Sequence, residues 1–260
     1  MIHNRALKPS MGVKILLLSV SASFLAGCSA RGYSWGWFAV SPGTVIGRRN
    51  LLFLIKGFVP TLSISLIALG FSVIIGLAIS LAGLSHNKLL KYINRGWVEI
   101  FRSVPVLVLL LWTYYGLPIS TGIDLNIFSA GIVALALCDS AFEAEIFRAG
   151  FQSIPRSQTE AAKSMGCTPY QTMRYVILPQ AIRYILPPLG NQFAYMLKIS
   201  SLVSVIGYGE LTRKANELTV IEYRPLEIYT ILIVEYLILV LVVSHLVRRM
   251  EKRLAGNQQD

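Results

Sequence analysis

Charge is scarce in this chain. Only 14% of its 260 residues are Asp, Glu, Lys or Arg, against about 25% in a soluble domain. Acidic residues are the scarcer kind, 13 against 24 basic ones. Cysteine and histidine are nearly absent, and Cys28, Cys138, Cys167, His3, His86 and His245 lie far apart. Neither set has metal-type or disulfide-type spacing, so both read as packing or surface residues and no metal site is expected. No G-x-x-x-x-G-K-[ST] stretch occurs, so the chain has no phosphate-binding loop of its own. There is no internal repeat and no low-complexity tract.

What is abundant is apolar. Hydrophobic residues make up 54% of the chain and gather in long blocks, the mark of a polytopic membrane protein. The net charge of +11 is open to two readings. Nucleic-acid binding needs basic residues on one folded face with aromatics interleaved. A membrane protein places them in loops between spans, and that is where they fall here. Six segments approach the roughly 20 residues of a spanning helix: 13–30, 58–84, 98–117, 127–147, 187–207 and 226–247. The fold class expected is all-α: a membrane helical bundle of five core spans preceded by a hydrophobic signal or anchor segment.

Loop charge sets the orientation. The stretches 85–96 and 148–186 and the tail after 247 carry twelve positive charges, and the alternate side carries seven. The bias places the long central loop and the C-terminus in the cytoplasm. Segment 1–30 is open to two readings. Arg5, Lys8 and Lys14 ahead of a short apolar run have the form of a secretory signal, and Leu25-Ala26-Gly27-Cys28 resembles a lipobox with Cys28 lipidated. The alternative is an uncleaved anchor helix.

The loop 154–186 is too polar to span and too structured to be a linker. Gln158–Met165 is rich in helix formers, with Ser157 or Thr159 as N-cap. Gly166 is placed to end that helix in a left-handed turn. Thr168 then caps a second helix with Pro169 at its first position, expected to stop at Pro179. A rigid helix–turn–helix joined to two spans is a lever that another protein can grip.

At these residues a family is recognisable. Glu160-Ala161-Ala162, then Gly166, then Leu178-Pro179 resembles the EAA loop of type I ABC importer permeases, with Val176 in the place of an Ile. The likeness covers residues 47–254. It is closest to the polar amino-acid branch, which serves histidine, glutamine, glutamate, arginine, cystine and opines. Phe101-Arg102-Ser103-Val104-Pro105, Ala144-Glu145-Ile146-Phe147-Arg148-Ala149-Gly150 and Leu197-Lys198-Ile199-Ser200-Ser201 carry that second likeness. Leu109 and Ile199-Ser200 depart from the branch pattern. The resemblance implies a bacterial inner-membrane location, a coupling helix docked on an ABC ATPase subunit, and ATP and Mg bound there. It also implies an extracytoplasmic solute-binding protein and a second permease copy or paralogue.

Charges inside spans cost about 2.5–3.5 kcal/mol each and need a reason. Asp139 and Glu143 lie four apart, on one helical face. They read either as cargo ligands in a midplane cavity or as structural partners of Lys198, Arg102 or another subunit. Lys198, Ser200 and Ser201 are candidates to receive a cargo carboxylate. Glu145 and Arg148 read as a structural pair, and Glu235 as cargo-facing or interfacial. Cargo is expected to be a basic amino acid, with glutamine, glutamate or cystine as the alternative. An enzyme built on Asp139 and Glu143 lacks any nucleophile, histidine or metal partner, so no catalytic residue is assigned.

Overall fold

The computed structural model describes residues 34–255. The chain divides between Trp37 and Phe38. In the described part of the first unit, the rings of Trp35 and Trp37 stack 6.3 Å apart. The second unit is helical throughout, with no strand among the described residues. Segment 1–30 and Cys28 lie outside the described residues.

Helix α1 (Val45–Ile55) starts where the Thr44 side chain accepts from the Gly47 amide, and α2 (Phe58–Leu84) follows almost directly. At 27 residues, α2 is about 40 Å long and exceeds the bilayer's roughly 30 Å hydrocarbon core. Helix α3 (Lys88–Ser103), capped by Asn87, buries none of its residues. The stretch 85–96 is therefore largely helix and not an open loop. The chain then breaks at Val104 and Pro105, both extended, because a proline disfavours helical geometry at the residue before it. Helices α4 (Val106–Leu111) and α5 (Leu117–Thr121) are joined by a π-helical turn, Trp112–Gly116. Lys88–Ser103 and Val106–Thr121 meet at 97°, so the straight span expected over 98–117 is a bent one.

Helix α6 (Ile127–Gln152) is the centre of the bundle. Small residues line its buried face, with Ala130, Ala134, Ala141 and Ala144 all closed to solvent. They let α2 come close: a Cβ built on Gly76 would lie 2.5 Å from Glu143 Cβ. Helices α7 (Arg156–Ser164) and α8 (Pro169–Gln171) form the loop after it. A second π-helical turn, Thr172–Ile177, leads into α9 (Leu178–Ile199) and a 3-10 turn, Ser200–Ile206. Helix α10 (Leu211–Glu222) precedes the last long helix, α11 (Pro225–Ala255).

Among the described residues, three stretches are long and apolar enough to cross a membrane, Val45–Leu84, Ile127–Gln152 and Pro225–Arg249, and the bent pair makes a fourth if it is one span. Helix α9 carries Gln180, Arg183, Asn191 and Gln192 and packs against α6 and α11. It takes its place in the bundle by packing and not by apolarity. It also starts at Leu178, well before the 187 expected for the fifth span, and holds Pro187 and Pro188 inside it.

Candidate functional site

The loop between α6 and α9 is built from local signals. Helix α7 starts after Pro155 with no side-chain cap, so neither Ser157 nor Thr159 caps it; both lie inside its first turn. Proline is suited to a helix start, where amides are unpaired anyway. The far end follows expectation. Gly166 is left-handed at φ +80°, the Cys167 amide donates to the Ala162 carbonyl at 3.1 Å and the Gly166 amide to Lys163 at 2.9 Å. That pair of bonds is a Schellman close. Thr168 and Gln171 then form a reciprocal capping box with Pro169 next to it.

Pro179 does not stop the second helix. It has no amide to give the Tyr175 carbonyl, and its ring would press on that group in an α-helix. The π-helical turn immediately before it widens the backbone and carries the helix through. Leu117-Pro118 repeats the arrangement after its own π-helical turn. Gln180 strengthens the joint: its Nε2 donates to the Val176 carbonyl at 2.9 Å and to Gln158 Oε1 on α7 at 3.4 Å. Ala162, 1% exposed, is the buried residue of α7, and Thr172 is that of the π-helical turn packed against it. Glu160, Ala161 and Gly166 face outward with Met165, Tyr170 and Tyr175. The loop thus presents polar and apolar groups outward while its own hinge stays packed.

Behind the loop, the ionisable residues sort into two sets. Asp139 is 1% exposed; Ser72 Oγ of α2 donates to it at 2.6 Å, and Gln192 Nε2 of α9 also donates. Glu143, one turn further, is 0% exposed, and neither of its oxygens has a hydrogen-bond partner. Both carboxylates sit in the α2–α6 seam, and Asp139 ties that seam to α9. Lys198 does not join them. It is six residues beyond Gln192, about 240° around the helix, and its exposed ammonium lies 6.0 Å from the Tyr195 ring. Ser200 and Ser201 turn their hydroxyls back to the carbonyls of Leu197 and Lys198. Arg102, a sequence candidate for Asp139 or Glu143, pairs instead with Glu145 at 2.6 Å; Arg148 lies 3.9 Å from the same carboxylate. The pair expected within α6 is thus a three-member bridge that fixes α3 to α6. Glu235 is buried with one oxygen unpaired.

A cavity of about 700 Å³ opens between α2, α3 and α6, lined by Asn94, Arg95, Glu99, Arg102, Glu145 and Arg148. A second, of about 510 Å³, lies between α6 and α9 beside Phe142, Glu145, Tyr184, Pro188 and Gln192. Glu145 lines both. Ser72 and Gln192 were not singled out in the sequence; a lone amide in the polar face of a span was the available signal. Glu210 and Tyr236 were also missed. They meet at 2.8 Å, and Glu210 also accepts from the Arg213 amide that starts α10. On α10, burial pushes the Glu217 carboxyl up, but Lys214 and Arg213 outweigh it and its pKa lies below the ordinary 4.5. No grouping of side chains suited to a metal ion occurs among the described residues.

A helical membrane bundle with a rigid loop projecting from it defines the class: a permease subunit driven by a partner. The chain belongs to the family of binding-protein-dependent transport system inner membrane components, which matches residues 51–256. It is 38% identical over 205 residues to the probable glutamine ABC transporter permease protein GlnM of Bacillus subtilis strain 168, covering 79% of this chain and 94% of that one. It is 36% identical over 220 residues to the glutamine transport system permease protein GlnP of Escherichia coli strain K12, covering 84% and 97%. Among solved structures, that of an amino acid ABC transporter with histidines matches at TM-score 0.77 and 39% identity, covering 85% of this chain and all of that one. The inward-facing methionine transporter MetNI matches at 0.69 and 25%, covering 79% and 98%. The protein is a type I ABC importer permease of the polar amino-acid branch, an inner-membrane subunit that works with a solute-binding protein and a separate ATPase subunit that hydrolyses ATP.

Proposed function

We propose that this permease carries glutamine, and that the basic cargo expected from Asp139 and Glu143 is the weaker reading. The observation that carries the proposal is that the related permeases GlnM and GlnP are both named for glutamine. The geometry supports it. A basic side chain needs a free carboxylate, whereas both Asp139 oxygens already accept from Ser72 and Gln192. Glu143 is closed inside the α2–α6 seam.

Residues 47–254 act as the permease domain in this reading. Two copies, or this chain and a paralogue, enclose the pathway. The C-terminus and the loop 154–186 face the cytoplasm, in keeping with the loop-charge bias. Glu160 and Ala161 contact the ATPase, Ala162 and Gly166 hold the shape of the coupling helix, and Leu178-Pro179 with the π-helical turn passes its motion to α9. ATP and Mg belong to the ATPase. Asp139 and Glu143 are proposed as part of the pathway wall, Asp139 holding α2, α6 and α9 in register, with Lys198 further along α9 and Ser200 and Ser201 in the 3-10 turn after it. ATP binding favours the state with the coupling helices close together, and hydrolysis releases it; the ligand shifts the equilibrium only by its preference between states.

The test is competition in proteoliposomes holding the permease, its ATPase and its binding protein. Labelled glutamine uptake is expected to be blocked by excess glutamine and left intact by excess arginine or lysine. Uptake of arginine with none of glutamine would reverse the assignment.

A further inference from the structure

One charged surface has no part in energy coupling or cargo passage. Helix α1 buries Gly47, Asn50 and Leu54 on one side. Asn50 Nδ2 clamps that side by donating to the Ala39 carbonyl and to Glu222 Oε1 of α10, each at 2.9 Å. The opposite side is a groove of about 810 Å³ whose lining includes Arg48, Arg49 and Lys56 beside Leu52, Ile55 and Val59, with no carboxylate. None of the three cations has an ion pair or side-chain hydrogen bond among the described residues. They stand at the end of α2 opposite the coupling loop, where loop charge is expected to be low, so a positive cluster there needs a counter-charge.

We propose that this groove binds an anionic phospholipid, its phosphate held by Arg48, Arg49 and Lys56 and an acyl chain lying on Leu52, Ile55 and Val59. The two chemistries lie side by side, as a lipid presents them. Arg48 and Arg49 lie on α1 and Lys56 caps its end, while the apolar residues Leu52 and Ile55 of α1 continue onto Val59, the second residue of the spanning helix α2. Paired guanidinium groups suit a phosphate better than ammonium groups do, because they offer forked donors. An acidic protein surface would match the cations but not the aliphatic strip that leads into the bilayer. This site is independent of which amino acid is carried.

Native mass spectrometry of the intact transporter complex, titrated with phosphatidylglycerol or phosphatidylcholine, tests the site. Phosphatidylglycerol is expected to bind the wild type at least about tenfold more tightly than phosphatidylcholine. Each cation near an anionic lipid surface is worth about fivefold. Lys56→Gln alone should therefore weaken phosphatidylglycerol about fivefold, and the triple variant Arg48→Gln/Arg49→Gln/Lys56→Gln by more than tenfold, with phosphatidylcholine unchanged. Arg48→Lys/Arg49→Lys should keep most of the preference. Equal binding of the two lipids, or an undiminished preference in both Gln variants, overturns the proposal. Full displacement by millimolar inorganic phosphate overturns it in favour of a simple anion site. Loss of stimulation by the binding protein with lipid preference intact overturns it in favour of a protein-docking face.

Discussion

Ala161 and Ala162 are neighbours with opposite tasks. Ala162 is buried against the π-helical turn, and Ala161 is exposed. Ala162→Leu should destabilise the permease by about 1–3 kcal/mol through overpacking, seen as a lower unfolding temperature. Ala161→Leu should leave that temperature within about 0.5 kcal/mol of wild type and weaken ATPase binding instead. Equal thermal effects of the two would contradict the placement. Asp139 supports a second residue-scale prediction. Asp139→Leu leaves Gln192 without its acceptor, at a cost of about 1–3 kcal/mol, while the Ser72 hydroxyl keeps the Leu69 carbonyl at 2.9 Å; Asp139→Asn should cost less because its carbonyl still accepts from Gln192. Glu217 supplies a pH dependence. Its carboxyl is depressed in the folded chain, so its contribution is present above the unfolded value of about 4.3 and is lost as pH falls through the lower folded value. Stability of α10, followed by hydrogen exchange, should not vary with pH near neutrality and should fall under acid; a Glu217→Gln variant should be less stable at neutral pH and lack that acid-dependent fall.

At the scale of elements, the central loop was legible because its punctuation is local. Gly166, Thr168 and Pro169 act within one turn of themselves, and each stands where the sequence places it. Proline was harder: Pro179 was read as a helix end, and Pro105 as lying within a span. Pro105 does break its helix, but Pro179 sits inside a continuous one, because a π-helical turn absorbs the missing amide. Nothing in Thr172–Ile177 alone announces that turn. The pairing of Arg102 with Glu145, and of Gln192 with Asp139, depends on which helices become neighbours, and spacing along one helix says nothing of that. The pairing of Lys198 with Asp139, one of its two sequence readings, fails for the same reason: its ammonium lies beside the Tyr195 ring, on another face of α9 from Gln192. The π-helical turn carries its own prediction. Deleting one residue between Thr172 and Ile177 should turn the coupling helix about 100° relative to α9. Binding-protein-stimulated ATPase activity should then collapse while the complex still assembles. Retained stimulation would show that register at this joint is unimportant.

The whole molecule is a converter between two surfaces. Its described spans were visible as apolar blocks, though α9 starts at Leu178, before the block at 187–207, and its polar face lies against α6 and α11. Its family was legible in Glu160–Pro179, whereas its cargo was not, because the groups that meet in the bundle come from several helices. Carboxylates in a span suggested a basic cargo; in the bundle Asp139 bonds Ser72 of α2 and Gln192 of α9, and Glu143 is closed in the α2–α6 seam. The central claim is that the loop drives amino-acid passage without doing the chemistry itself. Its most direct measurement is ATP-dependent glutamine uptake by the reconstituted transporter, read together with ATP hydrolysis, for wild type and for Glu160→Lys with Gly166→Val. The left-handed turn at Gly166 makes valine there cost about 1–2 kcal/mol, and the charge reversal alters the exposed docking face. The account predicts that uptake falls at least about tenfold, a loss of 1.4 kcal/mol or more of coupling, while the ATPase keeps its unstimulated hydrolysis rate. Uptake equal to wild type in that variant would contradict it.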